Sequence, residues 1–290
     1  MWAALLVSVH ALSGPTTRPR CVDVGSGITI TVMELAKPAT LVQEYYDDVD
    51  SQAVDPFGAV LWPGAHLAAR TLLRHRDRVQ GKTVACLGVG TGLEALTAAV
   101  IGARRVLAYD VSELALSLLK EGTRAAKMSA VVEPIHLDLC DADAAGACFA
   151  KAGIDVLLCA DVLYNEQLAR CIGTRVGEAF LASAMTPDWL LLTDSQRFPS
   201  TGPALYQSMH AAAAAARAEG GISEDEDELL LRLPEWQHTV LPRITGSGVL
   251  IEEDVCSDHK VRYLSWRWQE EEDSINGALQ WRIVDDVLGP

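Results

Sequence analysis

Four short segments of this chain are almost wholly apolar: Thr83 to Leu87, Val106 to Tyr109, Ile154 to Ala160 and Trp189 to Thr193. A strand with one wet face alternates apolar and polar residues. These segments do not alternate, so each must be buried on both faces, which is the habit of strands in a parallel sheet. Helical patterns fill the gaps between them. Glu94 to Ile101 is one, ended by Gly102. A second starts behind Ser112, a residue that can cap it, and runs to about Lys127. A third spans Gln167 to Ala184. Val131 to Leu137 adds a further strand. Strands alternating with helices of this length specify a doubly wound α/β sheet.

The flanks are less regular. Ile28 to Val32 is a β-branched strand, and Leu67 to Val79 is a modest helical pattern. Ala204 to Gly220 is an alanine-rich helix, followed by the acidic run Ser223 to Glu228, which reads as a solvated loop. Trp236 to Val240, Val249 to Val255 and Val261 to Trp268 read as strands. The last two, joined through Ser257-Asp258-His259, predict an antiparallel hairpin that closes the sheet at its C-terminal end. Trp266 and Trp268 then share one strand face.

The net charge is −15. A duplex-binding protein needs a basic face to displace phosphate counterions, so nucleic acid is not the expected partner. The acidic balance suits a basic protein or an amine, or serves solubility alone. No stretch has the uninterrupted apolar length of a spanning helix. The seven cysteines include no CxxC pair, and Cys86 and Cys159 sit inside apolar strands. They predict buried small hydrophobes in a reducing compartment, without a disulfide framework. His66 and His136 lack partners at ligand spacing, so no metal site is expected. Trp2 to Leu12 is a short apolar run followed by an acid-poor stretch. It fits a targeting presequence, a disordered tail or an added strand, and no basic residue precedes it.

The chemistry starts at Val84-Ala85-Cys86-Leu87-Gly88-Val89-Gly90-Thr91-Gly92-Leu93-Glu94. A strand enters a glycine-rich turn that opens a helix. Such a turn lets backbone approach a ligand at the carboxyl end of the sheet. The glycines Gly88, Gly90 and Gly92 run G-x-G-x-G, and Leu93 stands where a dinucleotide fingerprint has its third glycine. That favours a nucleoside cofactor without a pyrophosphate. Asp110 ends the next strand, 20 residues after Gly90, where a carboxylate can accept both ribose hydroxyls; it is otherwise a helix-start acid. Asp138 ends the strand after that and is placed for the adenine edge, with Leu139 against the ring. Asp141 or Asp143 are the alternatives for that role. Asp161 ends a fourth strand on the same sheet edge, and Tyr164 follows three residues later.

Val60-Leu61-Trp62-Pro63-Gly64-Ala65, Leu87 to Gly92, Asp110 and Ala160-Asp161-Val162-Leu163-Tyr164 together resemble methyltransferase family 16, the seven-strand lysine methyltransferases and their relatives. The resemblance runs from about Gly58 to Asp194. Its most specific element is D-x-x-Y, here Asp161 and Tyr164. It implies S-adenosylmethionine as cofactor, a protein lysine as acceptor, and Asp161 and Tyr164 beside that acceptor as the catalytic pair. It places Trp62 and Ala160 with Gly88, Gly90, Gly92, Asp110, Asp138 and Leu139 at the cofactor. Methyl transfer from a sulfonium is an in-line displacement by a neutral amine, which a carboxylate and a phenol can orient. Two positions depart from the family. Cys86 stands where an acid is common, and Leu139 where tryptophan is common. Glu94 either offsets the missing acid at the cofactor's charged end or complements the helix dipole.

The expected fold is α/β: a Rossmann-like, seven-strand, mostly parallel sheet with helices on both faces and an antiparallel C-terminal hairpin. The expected organisation is a targeting segment or tail (1–22), an N-terminal strand extension (23–58), the methyltransferase domain (59–269) and an acidic tail (270–290). A monomer is expected, cytoplasmic or, with a presequence, in a plastid or mitochondrion. The competing functions are a small-molecule N-methyltransferase and a cofactor-binding scaffold without turnover.

Overall fold

The computed structural model describes residues 16–38, 57–141, 143, 153–181, 189–194, 198, 200–220, 262–269 and 280–283. Five strands, β3 (Thr83–Leu87), β4 (Arg105–Asp110), β5 (Val132–His136), β6 (Val156–Ala160) and β7 (Trp189–Asp194), run parallel in the order β5-β4-β3-β6-β7. The chain steps outward from β3 through β4 to β5, then returns to the other side of β3. That reversal opens a crevice at the carboxyl ends of β3 and β6, where open α/β sheets bind ligands.

Strand periodicity divides the core in two. Val84, Cys86, Val106, Ala108, Val156, Leu158 and Leu191 face one layer, with Leu67, Leu72, Leu93, Leu96 and Leu119. These come from α1 (Pro63–Arg74), α2 (Leu93–Val100) and α3 (Glu113–Ala125). Ala85, Leu87, Leu107, Leu157, Leu190 and Leu192 face the other, against Ile172, Val176, Leu205 and Met209. Those belong to α4 (Glu166–Leu181) and α5 (Thr201–Gly220). Burial on both faces is the reason these strands show no alternation. Ser112 caps α3 by accepting from the Ala115 N–H at 3.2 Å, as its position predicts. The first large helix begins four residues before the periodic pattern does. Pro63 occupies its first turn, where a missing N–H costs nothing.

The ends of the chain depart from the sequence reading. β1 (Thr17–Gly25) and β2 (Ile28–Leu35) form an antiparallel pair of their own. Ile28 to Val32 is thus a strand, but its partner begins at Thr17, inside the stretch assigned to a tail. Val22, Val24, Ile30 and Val32 are buried with α1 and α2, which ties this hairpin to the domain. Buried Glu34 receives Arg18 at 2.6 Å and Arg20 at 3.4 Å. At the other end, β8 (Arg262–Gln269) pairs antiparallel with β7, and β9 (Gln280–Ile283) pairs antiparallel with β8. The expected partner 249–255 lies outside the described residues, as does 236–240. The segment beyond Gln269 was read as a peripheral tail, yet it supplies β9.

One cysteine expectation is overturned. Cys140, just past β5, and Cys171, in the first turns of α4, form a disulfide with their Cα atoms 5.0 Å apart. They are 31 residues apart in sequence, so only the wound topology brings them together. Cys86 and Cys159 are free and buried, as expected, whereas Cys21 is free and exposed. Among the described residues, no helix is long and apolar enough to cross a membrane.

Candidate active site

A cavity of about 800 Å³, partly open to solvent, lies over the carboxyl ends of β3, β4, β5 and β6. Its floor is the glycine turn. Gly88, Gly90 and Gly92 all have positive φ, at 68°, 51° and 78°. The Gly88 and Val89 N–H groups both donate to the Tyr109 carbonyl, at 2.9 and 3.0 Å, which fixes the turn against β4. Two of them are also crowded by protein neighbours. A Cβ on Gly88 would stand 2.6 Å from Val162 Cγ1, and one on Gly92 would overlap Leu119 Cδ1. Gly88 and Gly90 line the cavity, but Gly92 does not. Gly92 is the left-handed N-cap of α2 and sets the angle at which that helix departs. The sequence places Gly92 at the cofactor; in the structure it lies behind the lining rather than in it.

Asp110 has both carboxylate oxygens engaged. Oδ2 accepts from the Gly90 N–H and Oδ1 from the Ser112 N–H, each at 2.8 Å. This one side chain joins the glycine turn to the start of α3. Asp138 Oδ1 accepts from the Cys140 N–H at 2.8 Å. Asp138, buried Leu139 and Leu137 line the cavity; Asp141 and Asp143 do not. Val111, half exposed beside Asp110, adds an apolar wall that the sequence reading missed.

Asp161 has an unusual backbone, with φ at 56°. Its Oδ2 accepts from the Gly64 N–H at 2.6 Å, in the first turn of α1, where amide hydrogens lack helical partners. Its own N–H donates to the Thr193 carbonyl at 2.8 Å, and the Thr193 hydroxyl donates to the Gly64 carbonyl at 2.7 Å. The ends of β6 and β7 and the start of α1 are thereby clamped together. A Cβ on Gly64 would lie 2.9 Å from Asp161 Cγ, so no larger residue fits without displacing the carboxylate.

Trp62 immediately precedes α1, and its Nε1–H donates to the Phe57 carbonyl at 2.7 Å. The Phe57 ring lies 6.1 Å from Trp62 and 5.7 Å from Tyr164. These three half-buried rings border the cavity together with Ala160 and Asp161. Sequence reasoning treated Phe57 as part of a turn. An aromatic residue five positions before Trp62 was the only available signal.

Among the described residues, the lining contains four carboxyl residues, Glu94, Asp110, Asp138 and Asp161, and no lysine, arginine or histidine. Glu94 is the least settled. It is buried on the first turn of α2, and its Oε2 has no hydrogen-bond partner among the described residues. Burial, with a smaller contribution from Asp110, raises its pKa to about 8. Burial also pushes Cys159 up to about 12, and holds Cys86 well above the usual thiol value, with Glu94 adding to both. His66 is lowered to about 4, chiefly by burial and then by Arg20 and Arg70. Among the described residues, no cluster of side chains fits a metal ion.

Sequence comparison matches residues 47–187 to a family model described as lysine methyltransferase. The human electron transfer flavoprotein beta subunit lysine methyltransferase is 44% identical over 61 residues, which is 21% of this chain and 23% of that protein. Its Danio rerio counterpart is 32% identical over 118 residues, 40% of this chain and 42% of that protein. The chain thus spans less than half the length of these curated relatives. A T. thermophilus 16S rRNA methyltransferase, solved with AdoMet and guanosine, is a distant structural likeness. It is 18% identical, with a TM-score of 0.45, covering 66% of this chain and 45% of that one. Residues 47–187, which hold the glycine turn, Asp110, Asp161 and Tyr164, are thus similar to the lysine methyltransferase family.

Proposed function

We propose that this protein is an S-adenosylmethionine-dependent methyltransferase acting on a protein lysine. One observation carries the reading. The cavity at the sheet's switch point has, among the described residues, four carboxyl residues, no basic residue and an aromatic border. A cationic nucleoside suits such a lining, and so does an ammonium-bearing side chain presented to the rings. Bound there, the cofactor supplies an electrophilic methyl group on sulfur.

The chain's own residues do the rest. Gly88 and Gly90 give close approach. Asp110 accepts from ribose hydroxyls. Asp138 meets the adenine edge, with Val111 and Leu139 beside the base. Trp62, with Phe57 and Tyr164, forms the passage for the acceptor and keeps its alkyl stem out of water. Asp161, fixed on the Gly64 N–H, holds the start of α1 and hence Trp62. It also orients the acceptor nitrogen together with the Tyr164 hydroxyl. Removing one such hydrogen bond costs alignment rather than binding, and alignment is where much of the rate resides.

The test is transfer of tritiated methyl from S-adenosylmethionine into a cell extract, with wild type, Tyr164→Phe and Asp161→Ala. Labelled methyl-lysine is expected in hydrolysed protein, falling by roughly tenfold or more with either variant. Label found only in small molecules refutes the lysine acceptor. Undiminished label with both variants refutes the roles of Asp161 and Tyr164.

A further inference from the structure

Of the four carboxyl residues in the cavity, three are held by backbone N–H groups: Asp110 by Gly90 and Ser112, Asp138 by Cys140, and Asp161 by Gly64. Glu94 differs. It is 2% exposed, the backbone group acting on its carboxyl is its own, and Oε2 has no partner among the described residues. The ionisable groups acting on Glu94 and its neighbours are Cys86 from β3, Asp110 from β4 and Cys159 from β6. None is a cation. A buried oxygen left without a partner is destabilising, and a ligand donor can recover that loss. Among the described residues, the rest of the cavity lining supplies no cationic side chain.

We propose that Glu94 receives the ammonium of the cofactor's amino-acid end, and that the site releases a proton as that group docks. This rests on the nucleoside-cofactor reading above and identifies which group meets the cofactor's charge. The balance is simple. The Glu94 carboxylic acid loses its proton to solvent, and the resulting carboxylate accepts hydrogen bonds from the ammonium; no covalent bond to the ligand changes. With a pKa of about 8 in the free site, the acid form predominates at pH 7. Binding therefore strengthens as pH rises toward 8, by up to about tenfold per unit.

The experiment is titration calorimetry at pH 7 in buffers of differing ionisation enthalpy. S-adenosylhomocysteine is the probe, and 5′-methylthioadenosine, which lacks the amino-acid end, is the control. Wild type is expected to release close to one proton with S-adenosylhomocysteine and none with methylthioadenosine. Its affinity for S-adenosylhomocysteine should rise from pH 6 to pH 8. Glu94→Gln should bind methylthioadenosine like wild type. It should lose the proton release and about tenfold or more of the S-adenosylhomocysteine affinity at pH 8. PH-independent binding of S-adenosylhomocysteine to wild type without proton release overturns the proposal, and that measurement needs no variant. Failure of methylthioadenosine to bind wild type overturns the nucleoside reading itself, and the proposal with it.

Discussion

Asp110→Asn separates a residue that holds a turn from one that also holds a ligand. In wild type both carboxylate oxygens accept buried backbone N–H groups at 2.8 Å, one from Gly90 and one from Ser112. Asparagine has the same shape but only one acceptor oxygen, so its amide NH2 must face one of those donors. A hydrogen bond to a charged group contributes about 1.5–3 kcal/mol, and an abandoned buried donor costs a similar amount. The variant should lose about 2 kcal/mol of stability, a fall in Tm of roughly 4–8 °C for a domain of this size. If Asp110 also accepts from ribose hydroxyls, S-adenosylmethionine affinity should fall separately, by about tenfold or more. Thermal unfolding without ligand and calorimetry with it measure the two effects independently. A lowered Tm with affinity within threefold of wild type would show that Asp110 only ties the glycine turn to α3. An unchanged Tm would refute the two-bond geometry itself.

Three further outcomes follow from the structure. Gly64→Ala places a methyl 2.9 Å from the Asp161 carboxylate; it should cost about 1–3 kcal/mol and most of the methyl-transfer activity, and a variant matching wild type in Tm and turnover would refute the clamp. Reducing the Cys140–Cys171 bond opens a 31-residue loop, worth up to about 4 kcal/mol by chain entropy, and frees Leu139 and Ile172, both in the cavity wall. Dithiothreitol should therefore lower the Tm of wild type but not of Cys140→Ser, and an equal response in both would argue against the bond. The third outcome is set by the raised pKa of Glu94: the folded state holds a proton that the unfolded chain releases above about 4.5, so ligand-free stability falls as pH rises from there to about 8. Glu94→Gln should flatten that part of a Tm–pH profile, and an unaltered slope would show that another group is responsible.

The sheet was legible because its strands carry their environment in their composition. Thr83 to Leu87 and Trp189 to Thr193 need no partner to be recognised as buried on both sides. Gly88-Val89-Gly90-Thr91-Gly92 and Asp110 were legible for a related reason: β3 leads directly into the glycine turn, and β4 delivers Asp110 beside it. The strand at Thr17–Gly25 was not, because alternating charged and apolar residues such as Arg18, Arg20 and Asp23 resemble a polar tail until Ile28–Leu35 pairs with them. The Cys140–Cys171 bond was hidden for the same reason, since each cysteine acquires its partner only when α4 packs against the edge beyond β5.

By itself the amino-acid sequence determined the parallel α/β class, the glycine turn and the presence of Asp110, Asp161 and Tyr164 at strand ends. Each is a property of a few contiguous residues and the period they follow. Tertiary structure alone decided what those residues meet. It set Gly92 against Leu119, set Asp161 on the first turn of α1, brought Phe57 between Trp62 and Tyr164, and left one buried oxygen of Glu94 without a partner among the described residues. The physical reason is that burial and hydrogen-bond satisfaction depend on segments distant in the chain. A glutamate on the first turn of a helix looks like a dipole partner in sequence, and becomes a candidate cation site only when β3, β4 and β6 close around it.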